Sequence, residues 1–232
     1  MSDFGEKIIS FYSEIDFNGT LPEGIHIMNP YRTDAEAFKA VSKFYTKYYS
    51  DNNFRHLILG INPGRFGAGI TGIPFTDTKR LKDKCGIEIP GVQSYEPSSV
   101  FIYEMIDLYG GPGKFYGDFH FSSISPLGFT SEGKNGKAIN FNYYDSKTLT
   151  DAIYEFAVES LNKQINFGIY RDVCYCLGTG KNYNFLTSLN KSLNFFEKIV
   201  SLEHPRFIMQ YRLRRKDEYL NTYIRKLKMR CC

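Results

Sequence analysis

Hydrophobic positions along the chain fall into two patterns, apolar residues at helical spacing and short, nearly continuous apolar runs. The helical spacing predicts helices over 4–15, 35–49, 100–109, 148–167, 183–193 and 216–228. The continuous runs predict buried strands over 56–59 and 199–202, and the segments 118–124 and 172–177 are also predicted as strands. Because helices separate the strands throughout, we expect an α/β fold, a three-layer α/β/α arrangement around a central, mostly parallel four-stranded sheet.

Two remaining segments carry weaker patterns. Residues 25–31 are predicted as a short extended piece, and residues 76–95 as a polar, irregular stretch. The sequence contains no internal repeat, low-complexity block or composition shift that would mark a domain boundary. We therefore expect a single domain over residues 1–232, which is long enough to bury a substantial core.

The composition is ordinary for a soluble protein, with 23% charged and 42% hydrophobic residues. No apolar run approaches the roughly 18 residues of a membrane-spanning helix, and no signal peptide is recognisable. The five cysteines, which include Cys231 and Cys232, form no CxxC pair and offer no zinc or iron–sulfur ligand set. We expect a reduced, intracellular protein away from membranes, cytoplasmic and associated with the nucleoid in a bacterium.

Basic residues concentrate near the carboxyl terminus, between Arg212 and Arg230, although the net charge is only +4. Such a cluster could face the phosphates of a nucleic acid. It could also be the solvated face of a terminal helix, and the charge pattern alone favours this second interpretation.

The segment after the first predicted strand gives the strongest signal for function. Its sequence runs Gly60-Ile61-Asn62-Pro63-Gly64-Arg65-Phe66-Gly67 and continues as Thr71-Gly72-Ile73-Pro74-Phe75. Pro63 cannot donate to a strand ladder, so the chain leaves the sheet here and crosses its carboxyl edge, where open α/β sheets bind ligands. Phe66 and Phe75 suit a flat ligand, although glycine and proline also mark ordinary structural turns.

This segment resembles motif 1 of the uracil-DNA glycosylase superfamily and is most similar to the single-strand-selective monofunctional branch. That branch has the pattern G-x-N-P-G-x-F-G followed by T-G-x-P-F, and every fixed position is present here. The superfamily's second motif, a His-Pro after the last strand of the sheet, is matched by His204-Pro205 after the apolar run 199–202. The resemblance implies a monomeric DNA glycosylase of base excision repair that acts on damaged DNA without metal or cofactor.

The resemblance also implies roles for the matched residues. His204 corresponds to the residue that donates a hydrogen bond to the pyrimidine O2 as the base departs. Asn62 corresponds to the residue that holds the attacking water, and because asparagine is a poor general base the route must be largely dissociative. Phe75 corresponds to the aromatic residue that stacks on the flipped base. The other substrate-binding positions in this loop are Gly60, Ile61 and Phe66.

Gly64 takes the position of a tyrosine that excludes 5-methyl groups in the most uracil-selective branch. Glycine leaves room near C5 of the base, so the resemblance implies excision of uracil or of a 5-modified uracil such as 5-hydroxymethyluracil. Neither motif contains a lysine that could form a Schiff base, so we expect a monofunctional enzyme.

The chain departs from the family at the residue that recognises the base edge. Relatives have Asn-His-x-Pro-Leu where this chain has Ser123-Ile124-Ser125-Pro126-Leu127. A serine hydroxyl has one donor and cannot pair with both N3–H and O4, as an amide does. We expect Ser123 to share this role with Asn142, with Asn140 as the alternative amide. A deaminated purine such as xanthine stays open as the substrate.

Two further segments are candidates for DNA contact. By resemblance, the loop at the His-Pro motif wedges into the duplex through Pro205, Arg206 and Phe207. The stretch Gly178-Thr179-Gly180-Lys181 follows another predicted strand, and its amides and the Lys181 ammonium could hold a DNA phosphate.

Two other functions fit the same residues. A catalytically weak nucleic-acid-binding protein of this fold would keep Phe75 and the basic tail but release no base. An unrelated nucleotide-binding enzyme would use the loop from Gly178 to Lys181 and would not need His204.

Overall fold

The structure, a computed structural model, describes residues 2–229. In chain order the strands are β1 (Ile25–Met28), β2 (Arg55–Gly60), β3 (Phe119–Ser123), β4 (Gly128–Glu132), β5 (Ala138–Phe141), β6 (Ile169–Leu177) and β7 (Lys198–Leu202). The helices are α1 (Phe4–Glu14), α2 (Pro30–Thr33), α3 (Ala35–Tyr49), α4 (Ala68–Thr71), α5 (Thr78–Cys85), α6 (Pro97–Tyr109), α7 (Pro112–Asp118), α8 (Lys147–Ala152), α9 (Tyr154–Ile165), α10 (Lys181–Leu193), α11 (Pro205–Tyr211) and α12 (Lys216–Lys228). Arg230, Cys231 and Cys232 lie outside the described residues.

A parallel sheet of four strands forms the centre of the fold, in the order β3-β2-β6-β7. These are the four strands that the sequence predicts. All six residues of β2 are buried, which requires cover on both faces of the sheet. Helix α7 packs against β2 and β3, while α9 and α10 pack against β6. The predicted three-layer α/β/α fold is confirmed.

The sequence patterns do not predict the second sheet, which is antiparallel with the order β1-β4-β5. Its edge strand β5 is only four residues long and has no buried residue. Residues 60–75 are called the motif 1 loop from here on. Gly128, at the start of β4, lies close to this loop, because a Cβ on Gly128 would come within 2.6 Å of the Pro63 carbonyl oxygen. The hairpin of β4 and β5 therefore packs directly on that loop.

Two predictions, one of an irregular segment and one of a single long helix, need correction. Residues 76–95 are not wholly irregular, because Asp77 caps helix α5 and Gly86 ends it with a φ of 66°. Only Leu81 and Cys85 supply its apolar face, which is too weak a signal to stand out in sequence. The helix predicted over 148–167 is broken at Ile153 into α8 and α9.

Within residues 2–229 no helix is both long and apolar enough to cross a membrane.

A charged side chain anchors the amino end of the parallel sheet. Arg55 is fully buried, and its guanidinium makes two hydrogen bonds of 2.8 Å to the carboxylate of Asp51. The rings of Phe4 and Tyr49 cover it, with centroids 4.6 and 4.8 Å from the guanidinium carbon. Its Nε–H also donates to the Tyr116 carbonyl at 2.7 Å. These contacts satisfy the buried charge and fix the start of β2.

Candidate active site

A pocket of about 690 Å³ opens at the carboxyl edge of the parallel sheet. All four strands end there, since Ile61 follows β2, Ser123 ends β3, Gly178 follows β6 and Glu203 follows β7. Open α/β sheets bind ligands at this edge, and the volume is in the range that holds a small molecule. The predicted site residues that line the pocket are Ile61, Asn62, Gly64, Phe75, Ser123, Asn142, Lys181, His204, Arg206 and Phe207.

Gly60, Phe66 and Pro205 do not line the pocket. Gly60 lies beneath it, and a Cβ there would come within 2.7 Å of Phe75 Cζ, so the glycine lets that ring pack onto the end of β2. Phe66 is 49% exposed, and the Arg65 guanidinium stacks 4.4 Å from the centre of its ring. Pro205 is buried as the first residue of α11, a position that suits proline. The structure thus places these three residues around the pocket and not at its wall.

Asn62 is held in one orientation by the residues at the end of β5. Its Oδ1 accepts the Tyr143 N–H at 3.0 Å, and its Nδ2 donates to the Phe141 carbonyl at 3.2 Å. A backbone N–H can donate only to the oxygen of a side-chain amide, so these contacts assign the positions of Oδ1 and Nδ2 in Asn62. Nδ2 also donates to the Pro63 carbonyl at 3.4 Å. One lone pair of Oδ1 therefore remains for a ligand or a water, while the donors are used within the protein.

His204 presents a neutral N–H group to the pocket. Its Nδ1 accepts the Arg206 backbone N–H at 3.1 Å at the start of α11. Nδ1 therefore carries no proton, and in the neutral ring the proton lies on Nε2, which becomes a donor. Burial and the positive charge of Arg206 lower the pKa of His204 to about 4, so the ring is neutral at ordinary pH.

Phe75 has a strained backbone that fixes its ring within the pocket. Its φ of 55° lies in the left-handed region, which bulky residues rarely occupy. The ring centre is 5.3 Å from that of Phe121 and 6.0 Å from that of His204. Backbone strain of this kind clusters at ligand sites, and here it holds an aromatic ring at the wall of the pocket.

The β4–β5 hairpin and β3 bring hydrogen-bonding groups to the pocket. Within residues 2–229 the Ser123 hydroxyl has no hydrogen-bond partner. Asn142 Nδ2 donates to Asp145 at 3.0 Å, which leaves its Oδ1 available. Asn140 also lines the pocket, and because its Oδ1 accepts the Arg65 N–H at 2.9 Å its Nδ2 is left available. A hydroxyl, an amide oxygen and an amide nitrogen are therefore available for recognition of a ligand.

Glu96 is a pocket residue that the sequence analysis does not identify. It is the N-cap residue of α6, but its side chain makes no capping hydrogen bond. The carboxyl lies against the motif 1 loop, where Oε1 is 3.2 Å from the point that a Cβ on Gly64 would occupy, and Gly67 has no room for a Cβ beside it. Burial and the nearby Asp77 charge raise the pKa of Glu96 to about 7. Only the fold brings this lone glutamate beside the loop, so no local sequence signal could have found it.

Cationic and aromatic side chains surround the mouth of the pocket. The rings of Phe207 and Tyr211, both on α11, lie 5.7 Å apart and are exposed. Lys181, the first residue of α10, places its Nζ 5.7 Å from the centre of the Tyr144 ring. A rim of this composition suits a nucleic acid, which offers phosphates to cations and bases to aromatic rings.

Part of the predicted basic tail is occupied by contacts within the protein. The ion pairs and the hydrogen bond are Arg215 with Glu218 at 2.7 Å, Lys216 with Glu104 at 2.6 Å and Lys226 Nζ with the Ser201 carbonyl at 2.7 Å. Lys216 and Lys226 fasten α12 to other elements, and the Arg215 pair lies at the start of that helix, which agrees with the interpretation of the tail as a terminal helix. Arg206, by contrast, lines the pocket itself.

The cysteines of the described chain belong to the core. Cys85, Cys174 and Cys176 are buried free thiols, and burial raises the pKa of each. Across residues 2–229 no group of three or more His, Cys, Asp or Glu side chains is arranged to hold a metal ion.

Comparison with known proteins places the chain in a family. The model of the uracil DNA glycosylase superfamily matches residues 46–228. The crystal structure of wild-type SMUG2 from Pedobacter heparinus superposes with a TM-score of 0.96 at 54% sequence identity, covering 98% of each chain, and fits the single-strand-selective branch. No curated protein matches the chain. The chain is therefore a DNA glycosylase that belongs to the uracil DNA glycosylase superfamily.

Proposed function

We propose that the protein hydrolyses the N-glycosidic bond of uracil, or of a 5-modified uracil such as 5-hydroxymethyluracil, in DNA, as a step of base excision repair. The observation that carries this proposal is the neutral Nε2–H of His204, which shares one pocket with Asn62 Oδ1 and the Phe75 ring. A hydrogen-bond donor, a water acceptor and a stacking surface are the groups that this hydrolysis needs.

His204 stabilises the departing base in this mechanism. Negative charge develops on the pyrimidine and its O2 as the bond from N1 to the sugar carbon breaks. A fixed N–H donor gains strength as that charge grows, so it stabilises the transition state more than the bound substrate. The contact from Arg206 N–H to Nδ1 holds the ring in place beforehand, and no reorganisation is needed during the reaction.

Asn62 positions the attacking water in this mechanism. Oδ1 accepts one of the water's hydrogens and leaves the oxygen lone pair free to attack the sugar carbon. An amide is not basic enough to remove the proton, so the sugar must first acquire oxocarbenium character. Water then adds to that carbon and passes a proton to solvent, and the departed base anion takes up a proton from solvent, which yields the free base and an abasic site.

The DNA lies along the rim of the pocket in this proposal. A base reaches the edge of the sheet only when it has left its stack. Lys181 at the start of α10 suits a phosphate, while Arg206 and Phe207 occupy the space that the base vacates. We expect a monomer acting where the DNA is, which in a bacterium is the cytoplasm and its nucleoid.

A deaminated purine such as xanthine is the second candidate substrate. The observation that favours it is Ser123, whose single hydroxyl discriminates less between bases than the asparagine of relatives does. The available Oδ1 of Asn142 and Nδ2 of Asn140 offer an acceptor and a donor to either class of base.

Release of free base from oligonucleotides that contain one uracil, 5-hydroxymethyluracil, xanthine or hypoxanthine tests the proposal. We expect wild type to release uracil and the 5-modified base, and His204→Ala to lower kcat by about 10²–10³. Asn62→Ala should also lose activity, whereas His26→Ala, an exposed histidine on β1, serves as the matched control. Wild-type protein that binds DNA but releases no base from any of these substrates would contradict the proposal.

A further inference from the structure

The space beside Gly64 is bounded by two polar side chains. From the position that a Cβ on Gly64 would occupy, Glu96 Oε1 lies 3.2 Å away and Asn140 Nδ2 lies 3.6 Å away. The room that glycine leaves is therefore not an apolar hollow. It ends at one carboxyl oxygen and one amide nitrogen, which come from α6 and from the β4–β5 hairpin.

Both polar groups are left without a partner in the part of the chain that the structure describes. The Asn140 amide uses its oxygen for the Arg65 N–H, which leaves two N–H donors. The Glu96 carboxyl does not cap α6 and makes no other hydrogen bond among residues 2–229. Polar groups that are partly withdrawn from water and lack a partner are costly, and a ligand that supplied their partners would recover that cost.

We propose that Glu96 and Asn140 recognise a hydroxyl-bearing substituent at C5 of the flipped pyrimidine, and that the same two groups reject the methyl group of thymine. The inference rests on the proposed function and on the resemblance, which implies that Gly64 lies beside C5. A hydroxyl donates one hydrogen bond and accepts another, so it can donate to Glu96 and accept from Asn140. A methyl group does neither and leaves the Glu96 carboxyl and the Asn140 amide N–H groups without a partner.

This recognition would solve a problem that Gly64 creates. A pocket without a bulky residue beside C5 has no steric means of excluding thymine, which is a normal base of DNA. A site built to hydrogen-bond a substrate hydroxyl rejects the analogue that lacks it far more strongly than an apolar pocket rejects a methylene. Glu96 and Asn140 would thus replace a steric barrier with a polar one.

The surroundings of Glu96 make its ionisation relevant in the working range. The charged and titratable groups around it are Asp77 and Arg80 of α5, Arg65 of the motif 1 loop, and His204 and Arg206 at the start of α11. Burial and Asp77 raise the pKa of Glu96 to about 7, against the opposing effect of Arg206. A hydroxyl bonds more strongly to a carboxylate than to a neutral carboxyl, so the preference for the hydroxymethyl base should rise between pH 6 and 8.

The test compares kcat/KM for single-stranded oligonucleotides that contain uracil, 5-hydroxymethyluracil or thymine at the same position. Glu96→Ala should lower the ratio of 5-hydroxymethyluracil to uracil by about tenfold and raise release of thymine relative to uracil. Asn140→Asp, which keeps an oxygen for the Arg65 N–H but loses the donor, should lower the same ratio. Glu96→Gln should keep much of the preference and lose its dependence on pH. Glu88→Gln, in an exposed ion pair with Lys82, is the matched control.

The outcomes separate this inference from the proposed function. If wild type releases uracil but Glu96→Ala and Asn140→Asp lower uracil and 5-hydroxymethyluracil equally, the recognition site is wrong and the glycosylase stands. If wild type releases neither base, both proposals fall. Thermal unfolding of each variant identifies any loss that comes from misfolding, and Glu96→Gln, close to isosteric, then supplies the pH comparison that decides the question.

Discussion

One backbone N–H determines the protonation state of His204. Because Arg206 N–H occupies Nδ1 and the pKa lies near 4, the imidazole should stay neutral from pH 5 to 8. We expect uracil release to be flat over that range and to fall only as the pH approaches 4, when the ring gains a proton and loses its contact with Arg206. Single-turnover rates of uracil release as a function of pH test this, measured in the Glu96→Gln variant so that the titration of Glu96 does not contribute. A change in rate centred near pH 6.5 would contradict the prediction.

Glu96 should cost the protein stability at neutral and higher pH. Its folded pKa, about 7, lies above the usual 4.5, so the folded state holds a proton that the unfolded chain has released. Stability attributable to this residue therefore falls as the pH rises from about 5 to 8. Glu96→Gln should be more stable than wild type by about 1–3 kcal/mol at pH 8 and by little at pH 5. Urea unfolding at both pH values checks the sign, with Glu88→Gln as the exposed control.

The elements of the site differ in how far sequence alone could predict them. The motif 1 loop and the His-Pro turn are continuous segments whose residue order is itself the signal, so their place at the edge of the sheet was predictable. In the β4–β5 hairpin, β5 has no buried residue and β4 is buried only over its first three residues. The hairpin acts by packing against a loop far away in the chain. Its amides, and Glu96 at the start of α6, reach the pocket only through tertiary contacts. Sequence therefore predicted the place of Asn62 and His204 in the pocket, named the hairpin asparagines without their structural setting, and missed Glu96.

The docking of the hairpin on the motif 1 loop can be tested at Gly128. A Cβ there would come within 2.6 Å of the Pro63 carbonyl oxygen, which is backbone and cannot move aside cheaply. We expect Gly128→Ala to displace the hairpin, loosen the contacts that orient Asn62, and lower base release by about tenfold or more. Gly117→Ala, on α7 with open space at its Cβ, should leave activity unchanged. Equal activity of both variants would show that the orientation of Asn62 does not depend on the hairpin.

Across the whole molecule, the two ends of the parallel sheet carry different tasks. The carboxyl ends of all four strands meet the pocket, while the amino end of β2 is anchored by Arg55 in an aromatic core. The alternation of strands and helices was sufficient to predict this architecture, because a parallel sheet with covered faces is the arrangement that buries such strands. That residues 1–232 act as one monomeric domain stays a prediction, for which sedimentation of the purified protein is the direct measurement.

This division predicts that stability can be lowered at the amino end without a change in chemistry. Asp51→Asn removes the charge that faces the buried Arg55, and because the Asp51 side chain is 37% exposed we expect a loss of about 2 kcal/mol in the free energy of unfolding. The Arg55 contact lowers the pKa of Asp51, so this contribution is present above pH 4 or so and disappears as the pH falls further. The difference in the free energy of unfolding between wild type and Asp51→Asn, measured by urea unfolding, should therefore shrink from pH 7 to pH 3, while kcat well below the melting temperature stays equal.

Glu36→Gln, in an exposed pair with Lys39, should change neither the free energy of unfolding nor kcat. A fall in kcat of folded Asp51→Asn would show that the two ends of the sheet are coupled.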